Sequence, residues 1–262
     1  MTGHVVPTFI RLLALVVLLG GSALAWSGLE HNGTDPLDSP MWTNMHERFL
    51  AGDDYVFDTA IEVTAPSYAE DSLNVPVAFS ISGIDDIQQI AVFADLNPLP
   101  MVLRLRPVTV APAMAFRFKL QQSSPVRVAA LAGDGVWHVG STWIDAAGGG
   151  CTAPSVGMAS GNWTETFGTV NAGFFPRESG NRLKLQIMHP MDTGLAEGIP
   201  RFHIEQLQLR NLDDNSLMAE LELYEPISEN PLLSFDVGAV SGVTLEGYDN
   251  NANTFTADLV NR

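Results

Sequence analysis

Short apolar segments in which every second residue is polar recur along this chain, and they constrain its fold more than any other feature. Within residues 59–145, Met114, Phe116 and Phe118 alternate with polar or small residues, and the same spacing returns within residues 181–262. Side chains of a β-strand point alternately to its two faces, so this period of two indicates strands with one buried face. Pro and Gly separate the segments, and helical spacing is almost absent. The pattern predicts an all-β chain built from two antiparallel β-sandwich domains.

Two irregular regions flank the first of these domains. Residues 146–180 are dominated by Gly, Ala, Ser, Thr and Asn, and they are too many for an ordinary loop, which predicts a Gly-rich linker. Residues 26–58 form an N-terminal segment that contains one helical pattern. Ser39 and Pro40 are predicted to be the N-cap and first residue of a short helix. An apolar stripe ending at Phe49 should pack this helix onto the domain that follows.

The first 25 residues predict a secretory signal. An apolar run at residues 12–19 is followed by Ala23-Leu24-Ala25, a small-x-small cleavage site that would make Trp26 the mature N-terminus. The run is shorter than the roughly 20 residues that span a bilayer, and no second long apolar segment follows. We therefore expect an exported protein of the bacterial periplasm, without membrane attachment after cleavage.

The charge of the chain excludes several classes of partner. The sequence has 13 Lys and Arg against 30 Asp and Glu, giving a formal net charge of −17, and its only lysines are Lys119 and Lys184. Without a basic stripe, binding to nucleic acid or to an anionic lipid surface is not expected. The acidic balance favours docking to a basic partner, although it is equally typical of an ordinary secreted surface.

The chain has one cysteine, Cys151, and it directly follows Gly148, Gly149 and Gly150. A single cysteine cannot close an intrachain disulfide, and a segment this poor in side chains is expected to leave the thiol exposed. In an oxidising compartment such a thiol indicates a reactive group or an intermolecular pair, so we expect a monomer or a Cys151-linked dimer. The alternative is an incidental cysteine buried as a small apolar residue.

Catalysis by the chain alone is not predicted. No basic residue or helix N-terminus lies near Cys151 in the sequence, and at an ordinary pKa of about 8.5 only a few per cent of the thiol is ionised at neutral pH. The sequence carries no serine–histidine–acid motif and no zinc signature. We therefore expect a protein that is not an enzyme, whose cysteine is activated by a partner.

A copper site is the main cofactor alternative, because thiolate, thioether and imidazole ligands suit copper. Its candidate ligands are Cys151, His138, His189, Met158 and Met191. No histidine follows Cys151 at the spacing of a blue-copper loop, and three glycines offer no rigid frame for a ligand. We therefore predict no metal and no other cofactor, with the histidines structural or solvated.

Several segments resemble the two subunits of the SoxYZ carrier of periplasmic sulfur oxidation. Residues 189–194 (His-Pro-Met-Asp-Thr-Gly) and 230–235 (Asn-Pro-Leu-Leu-Ser-Phe) are similar to SoxZ. Residues 93–100 (Phe-Ala-Asp-Leu-Asn-Pro-Leu-Pro) and the glycines before Cys151 are similar to SoxY. The order of these segments resembles a fused SoxYZ-like carrier, of the kind associated with quinoprotein dehydrogenases.

The resemblance implies a fold, a site and partners. It implies immunoglobulin-like sandwiches for the SoxY-like residues 59–145 and the SoxZ-like residues 181–262. It makes Cys151 the residue of covalent substrate attachment and Gly148, Gly149 and Gly150 its swinging arm. The implied partners are periplasmic sulfur-oxidation enzymes or a quinoprotein dehydrogenase.

One departure from the family pattern leaves a second function open. SoxY ends just after its cysteine, whereas here Thr152-Ala153-Pro154 follows, so the arm is tethered at both ends. The carrier hypothesis therefore stands beside a non-covalent adaptor that binds a dehydrogenase or cytochrome through a sandwich face or edge.

Overall fold

The computed structural model describes residues 1–3, 30–155 and 163–262. The predicted signal segment and its cleavage site lie almost wholly in residues 4–29, and Met158 lies in residues 156–162. Both stretches are outside the described residues. In the part of the chain that is described, no helix is both long and apolar enough to cross a membrane. We call residues 30–155 and 163–262 the first and second halves.

The regular structure is almost entirely β, as the sequence predicts. The first half contains helix α1 (Trp42–Phe49) and strands β1 (Tyr55–Phe57), β2 (Ile61–Thr64), β3 (Tyr68–Ala69), β4 (Val75–Ile81), β5 (Gln89–Ala94), β6 (Met101–Pro107), β7 (Ala113–Phe118), β8 (Ser124–Leu131) and β9 (Trp137–Ala146). The second half contains helix α2 (Trp163–Thr166) and strands β10 (Val170–Arg177), β11 (Gly180–Ile187), β12 (Ile204–Asn211), β13 (Leu217–Leu223), β14 (Leu232–Val237), β15 (Gly242–Asp249) and β16 (Thr254–Val260).

The strands form two sheets, and each sheet contains strands from both halves. The larger sheet has the order β1-β9-β8-β5-β6-β13-β12-β15-β16, with β3 also paired to β9, and the smaller has the order β10-β11-β14-β7-β4-β2. The halves join where β6 pairs with β13, from Leu103 opposite Leu223 to Pro107 opposite Ala219, and where β7 pairs with β14. Most buried apolar side chains of both halves form one continuous cluster between the sheets.

Strand β5 is buried on both faces because α1 covers the outer face of the larger sheet. Val92 packs into the core between the two sheets. Its neighbour Phe93 points the other way and packs with Trp42 and Met45 of α1. The prediction that the apolar stripe of this helix packs on the first domain is therefore confirmed.

The start of α1 differs from the prediction. The helix begins at Trp42 and its N-cap is Met41, so the predicted cap at Ser39 is wrong by two residues. Ser39 instead lies in a turn held by Asp35, whose carboxylate accepts a hydrogen bond from the Ser39 amide at 2.7 Å.

A buried ion cluster fixes the N-terminal segment against β8. The Arg127 guanidinium is fully buried and lies 2.7 Å from Asp35 Oδ1 and 2.9 Å from Asp95 Oδ2. Burial raises the pKa of Asp95 although Arg127 opposes this effect. Buried charges need such partners, so the cluster sets the position of the segment before α1.

The region predicted as an irregular linker contains regular structure. Residues 163–166 form α2, and residues 170–177 form β10, which pairs antiparallel with β11 along its whole length. No residue of β10 is fully buried, because the strand lies at the edge of the smaller sheet. This edge position explains why the sequence of β10 shows no alternation. The bounds of the two domains, residues 59–145 and 181–262, stay a prediction.

Candidate functional site

Cys151 lies between the two halves and is fully buried. The expectation of an exposed thiol is therefore wrong, and a disulfide to a second chain cannot form while the residue stays in this position. We call residues 148–155 the cysteine segment. Because the thiol is buried, the contacts that hold the cysteine segment in place define the site.

The glycines before Cys151 allow the segment to pack closely against the first half. A Cβ atom at Gly150 would lie 2.1 Å from the carbonyl oxygen of Ser72 and 2.6 Å from that of Leu120, distances at which atoms collide. Gly148 and Gly149 have φ angles of +107° and +90°, which side chains disfavour. The three glycines thus serve a tight fit in this structure, and their role as a swinging arm stays a prediction.

The thiol itself faces amide oxygens of the first half. Sγ lies 3.6 Å from both Asn97 Oδ1 and the carbonyl oxygen of Lys119. The Cys151 amide donates a hydrogen bond to Gln121 Oε1 at 3.0 Å. The backbone amide of Gln121 donates a hydrogen bond to Asn97 Oδ1 at 2.8 Å. This bond identifies the oxygen of the Asn97 side chain, so Oδ1, and not the side-chain nitrogen, is directed at the thiol. Two facing oxygens favour the protonated S–H, which can donate, over a thiolate.

Burial has the same effect on the ionisation of the thiol. Loss of solvent raises the pKa of Cys151 from 9.0 to about 11, and the nearby Lys119 ammonium offsets only part of this rise. At neutral pH the buried cysteine is therefore a neutral thiol, and neither a nucleophile nor a metal ligand in this state.

The second half holds the cysteine segment from the other side. Thr193 Oγ1 donates a hydrogen bond to the carbonyl oxygen of Cys151 at 2.6 Å. The Asp192 carboxylate accepts hydrogen bonds from the amide and the hydroxyl of Ser155, at 2.8 and 2.9 Å. Both residues belong to the His-Pro-Met-Asp-Thr-Gly stretch that the sequence analysis singled out by resemblance alone.

A buried lysine connects the halves next to the thiol. Lys119 is 2 % exposed, and its ammonium donates a hydrogen bond to the carbonyl oxygen of Met191. Burial lowers the pKa of Lys119, while Asp192 and Cys151 act to raise it. Sequence reasoning noted that Lys119 is one of only two lysines, yet assigned it no role. In the alternation of Met114, Phe116 and Phe118 it falls at a polar position just after the strand, so the sequence carries no sign that it is buried.

His189 positions the turn that presents Met191 and Asp192. Its Nδ1 accepts a hydrogen bond from the Met191 amide at 3.0 Å, and its Nε2 lies 3.4 Å from Asp249 Oδ2. Burial lowers the pKa of His189 to about 4, so the ring is neutral with its proton on Nε2. The turn also requires a φ of +54° at Met191, a costly conformation for a residue other than glycine.

Two of the candidate copper ligands, His138 and His189, lie beside carboxylates in the structure. His138 Nδ1 is 2.7 Å from Asp58 Oδ2, and His189 is engaged as above. Among residues 1–3, 30–155 and 163–262, no three His, Cys, Asp or Glu side chains are grouped so that they could hold a metal ion.

Two protein families match the chain in tandem. Residues 46–151 match the family described as Sulfur oxidation protein SoxY, and residues 177–260 match the family described as Sulphur oxidation protein SoxZ. The SoxY match ends on Cys151 itself. Together the matches support a fused SoxYZ-like protein.

Similar solved structures include the sulfur carrier protein SoxY from Chlorobium limicola f thiosulfatophilum. It is 23 % identical, covering 39 % of this chain and 88 % of that chain with a TM-score of 0.36. The superoxide reductase (neelaredoxin) from Ignicoccus hospitalis is 17 % identical, covering 33 % of this chain and 80 % of that chain with a TM-score of 0.30. No curated protein matches the chain.

Proposed function

We propose that this SoxY–SoxZ tandem is a carrier in sulfur oxidation that binds a sulfur-type intermediate covalently at Cys151 and passes it between partner enzymes. One observation supports this assignment above the others. The only cysteine is the last residue of the SoxY match, and both halves contribute the contacts that hold it. A cysteine that only stabilised the SoxY-like half would not need a contact from the SoxZ-like half.

The carrier works through release of the cysteine segment. In the docked position the Sγ contacts are two amide oxygens, neither of which is a base at neutral pH. A partner that binds the segment breaks its contacts with Thr193 and Asp192 and moves the thiol into water. There the pKa returns towards its ordinary value, and the fraction of reactive thiolate rises.

Loading then proceeds by exchange between sulfur atoms. The Cys151 thiolate attacks one sulfur of an S–S bond in a donor, a new S–S bond to Cys151 forms, and the donor bond breaks. The second donor sulfur leaves as a thiolate and takes up a proton. The step is redox-neutral, and the chain provides the acceptor thiol while partner enzymes carry out the oxidation.

We propose that the carrier acts in the periplasm, and the secretory signal predicted from residues 1–25 supports this proposal. Its partners are sulfur-oxidation enzymes or a quinoprotein dehydrogenase, and its acidic surface suits a basic docking face. Burial of Sγ favours a monomer over a Cys151-linked dimer as the resting form.

Burial of the thiol also favours a second candidate, a non-covalent adaptor for a periplasmic quinoprotein dehydrogenase or cytochrome. An adaptor needs no accessible thiol, and a fully buried cysteine is typical of a structural residue. Such an adaptor would bind its partner through a sheet face, or by adding a strand to the exposed edge at β16.

Substitution of Cys151 distinguishes the carrier from the adaptor. Cys151→Ala and Cys151→Ser are expressed in a deletion strain of the source organism, and pathway flux and partner capture are measured together. The carrier predicts folded variants that still capture partners but restore no flux. Full restoration of flux by Cys151→Ala would refute the carrier and leave the adaptor.

A further inference from the structure

The outer face of the smaller sheet carries a groove of about 380 Å³ that the proposed function does not use. Its floor is formed by small and apolar side chains, among them Ala78 on β4, Ala115 on β7 and Leu232 on β14. These strands lie side by side in the smaller sheet, so the groove runs across the pairing of β7 with β14 that joins the two halves. We call it the outer groove.

The charge of the outer groove is opposite to that of the whole protein. Arg117, Arg182 and Lys184 line it, whereas none of the 30 acidic residues of the chain is among its described lining residues. Arg182 already pairs with Asp236, at 2.7 and 2.6 Å. Arg117 and Lys184 are exposed, and within the described residues neither has a carboxylate at ion-pair distance. The Lys184 ammonium lies over the Phe175 ring, 5.2 Å from its centroid. Neither cationic group is neutralised by a described carboxylate, so both can bind an anion.

A buried hydroxyl in the same groove lacks a partner. Ser234 is 9 % exposed, and within the described residues its Oγ makes no hydrogen bond. Its neighbours Leu233 and Phe235 point into the core, so the alternation of β14 directs Ser234 into the groove. Across the sheet it lies opposite Lys184 on one side and Ala115 on the other. A buried polar group without a partner is costly, which indicates that a ligand completes this site.

We infer that the outer groove binds a small organic anion. The acidic group lies between Arg117 and Lys184 and accepts a hydrogen bond from the Ser234 hydroxyl, while the apolar part covers Ala115 and Leu232. The volume lies within the range of small-molecule sites, and charged groups around an apolar floor select for an anion with a hydrocarbon body. This site is independent of Cys151 and of the carrier assignment.

The experiment uses hexane-1-sulfonate as the probe and follows the amide signals of the full chain by ¹H–¹⁵N NMR. We expect saturable shifts at residues around Ala115, Lys184 and Ser234, with a dissociation constant on the order of 1 mM for a probe of this size. Hexan-1-ol, which has a similar body without the charge, should bind about tenfold more weakly or not at all.

Variants identify the site. Arg117→Gln and Lys184→Gln should each weaken binding about fivefold to tenfold, and Ser234→Ala should weaken it without loss of stability. Arg106→Gln is the matched control, because Arg106 is an exposed arginine of the larger sheet paired with Glu220, and it should bind like the wild type. Equal binding of hexan-1-ol, shifts located elsewhere, or unchanged binding by the groove variants would overturn the inference.

Discussion

Replacement of Gly150 by alanine should release the cysteine segment and make Cys151 reactive. The new Cβ would lie 2.1 Å from the Ser72 carbonyl oxygen and within 2.8 Å of two backbone atoms of Leu120. Backbone atoms of a paired segment cannot move aside as a flexible side chain can. We therefore expect the segment to leave its position, while the two sheets, whose core does not include Gly150, remain folded.

The size of the effect follows from the ionisation of the thiol. Docking raises the pKa of the thiol from 9.0 to about 11, which makes it about 100-fold less ionised at pH 8. Because the thiolate is the nucleophile and the docked Sγ is also shielded from the reagent, alkylation of Gly150→Ala should be at least about 100-fold faster than that of the wild type. A milder variant, Thr193→Val, removes the hydrogen bond to the Cys151 carbonyl together with the one that the hydroxyl accepts from the Leu195 amide, and it should accelerate alkylation about fivefold to tenfold.

The assay is the rate of iodoacetamide addition at pH 8, measured by intact mass in native buffer and again in denaturant. Gly238→Ala is the matched control, since a Cβ there meets no atom within 4 Å, and it should react like the wild type. Circular dichroism and thermal unfolding verify that each variant is folded. Wild-type protein that reacts as fast as denatured protein, or variants that react no faster than the wild type, would refute the reasoning.

Three further predictions concern stability. The folded Cys151 thiol retains its proton up to about pH 11, so the unfolded chain ionises first as pH rises. The free energy of unfolding of the wild type relative to Cys151→Ala should therefore fall by about 2 kcal/mol between pH 9 and 11 in urea titrations. Folded His189 stays neutral down to about pH 4, so the unfolded chain binds a proton first as pH falls below 6.5. The free energy of unfolding should therefore fall by about 3 kcal/mol by pH 4. His189→Asn should lack this loss when urea unfolding is compared at pH 7.5 and 4.5. Arg127→Met should cost about 3–5 kcal/mol by the same assay, because it leaves two carboxylates buried without their cation, and a cost below about 1 kcal/mol would contradict the structural role of the cluster.

Much of the β-structure could be predicted because each strand carries its own signal. Met114, Phe116 and Phe118 are buried in β7 while Arg117 is exposed, and this alternation is visible in the sequence. The same reasoning failed for β10, whose side chains are all at least partly exposed at a sheet edge, so its sequence has no apolar period. Pairing of β6 with β13 could not be predicted either, because the sequence of an edge strand does not show which other strand it pairs with.

The environment of Cys151 shows why the site was harder to predict than the fold. A run of glycines is equally compatible with a flexible arm and with close packing against a backbone, and only the position of Ser72 decides between them. The contacts of Cys151 come from Lys119, 32 residues away, and Thr193, 42 residues away. No local pattern reports on such distances. The resemblance to SoxY and SoxZ singled out residues 93–100 and 189–194, which both contain a contact of Cys151, but it did not predict these contacts.

The acidic composition illustrates the same limit at the surface. A count of charges predicts a basic partner for the whole protein and gives no reason to expect a cationic groove. The outer groove arises because Arg117 and Lys184 come from different halves and meet only through the pairing of β7 with β14 and of β14 with β11.

The intact mass of protein isolated from the source organism, with and without reductant, tests the carrier assignment most directly. Protein collected while the pathway is active should show a mass increase that maps to Cys151, disappears with reductant and is absent from Cys151→Ala. An unmodified mass under these conditions would contradict the carrier and favour the adaptor.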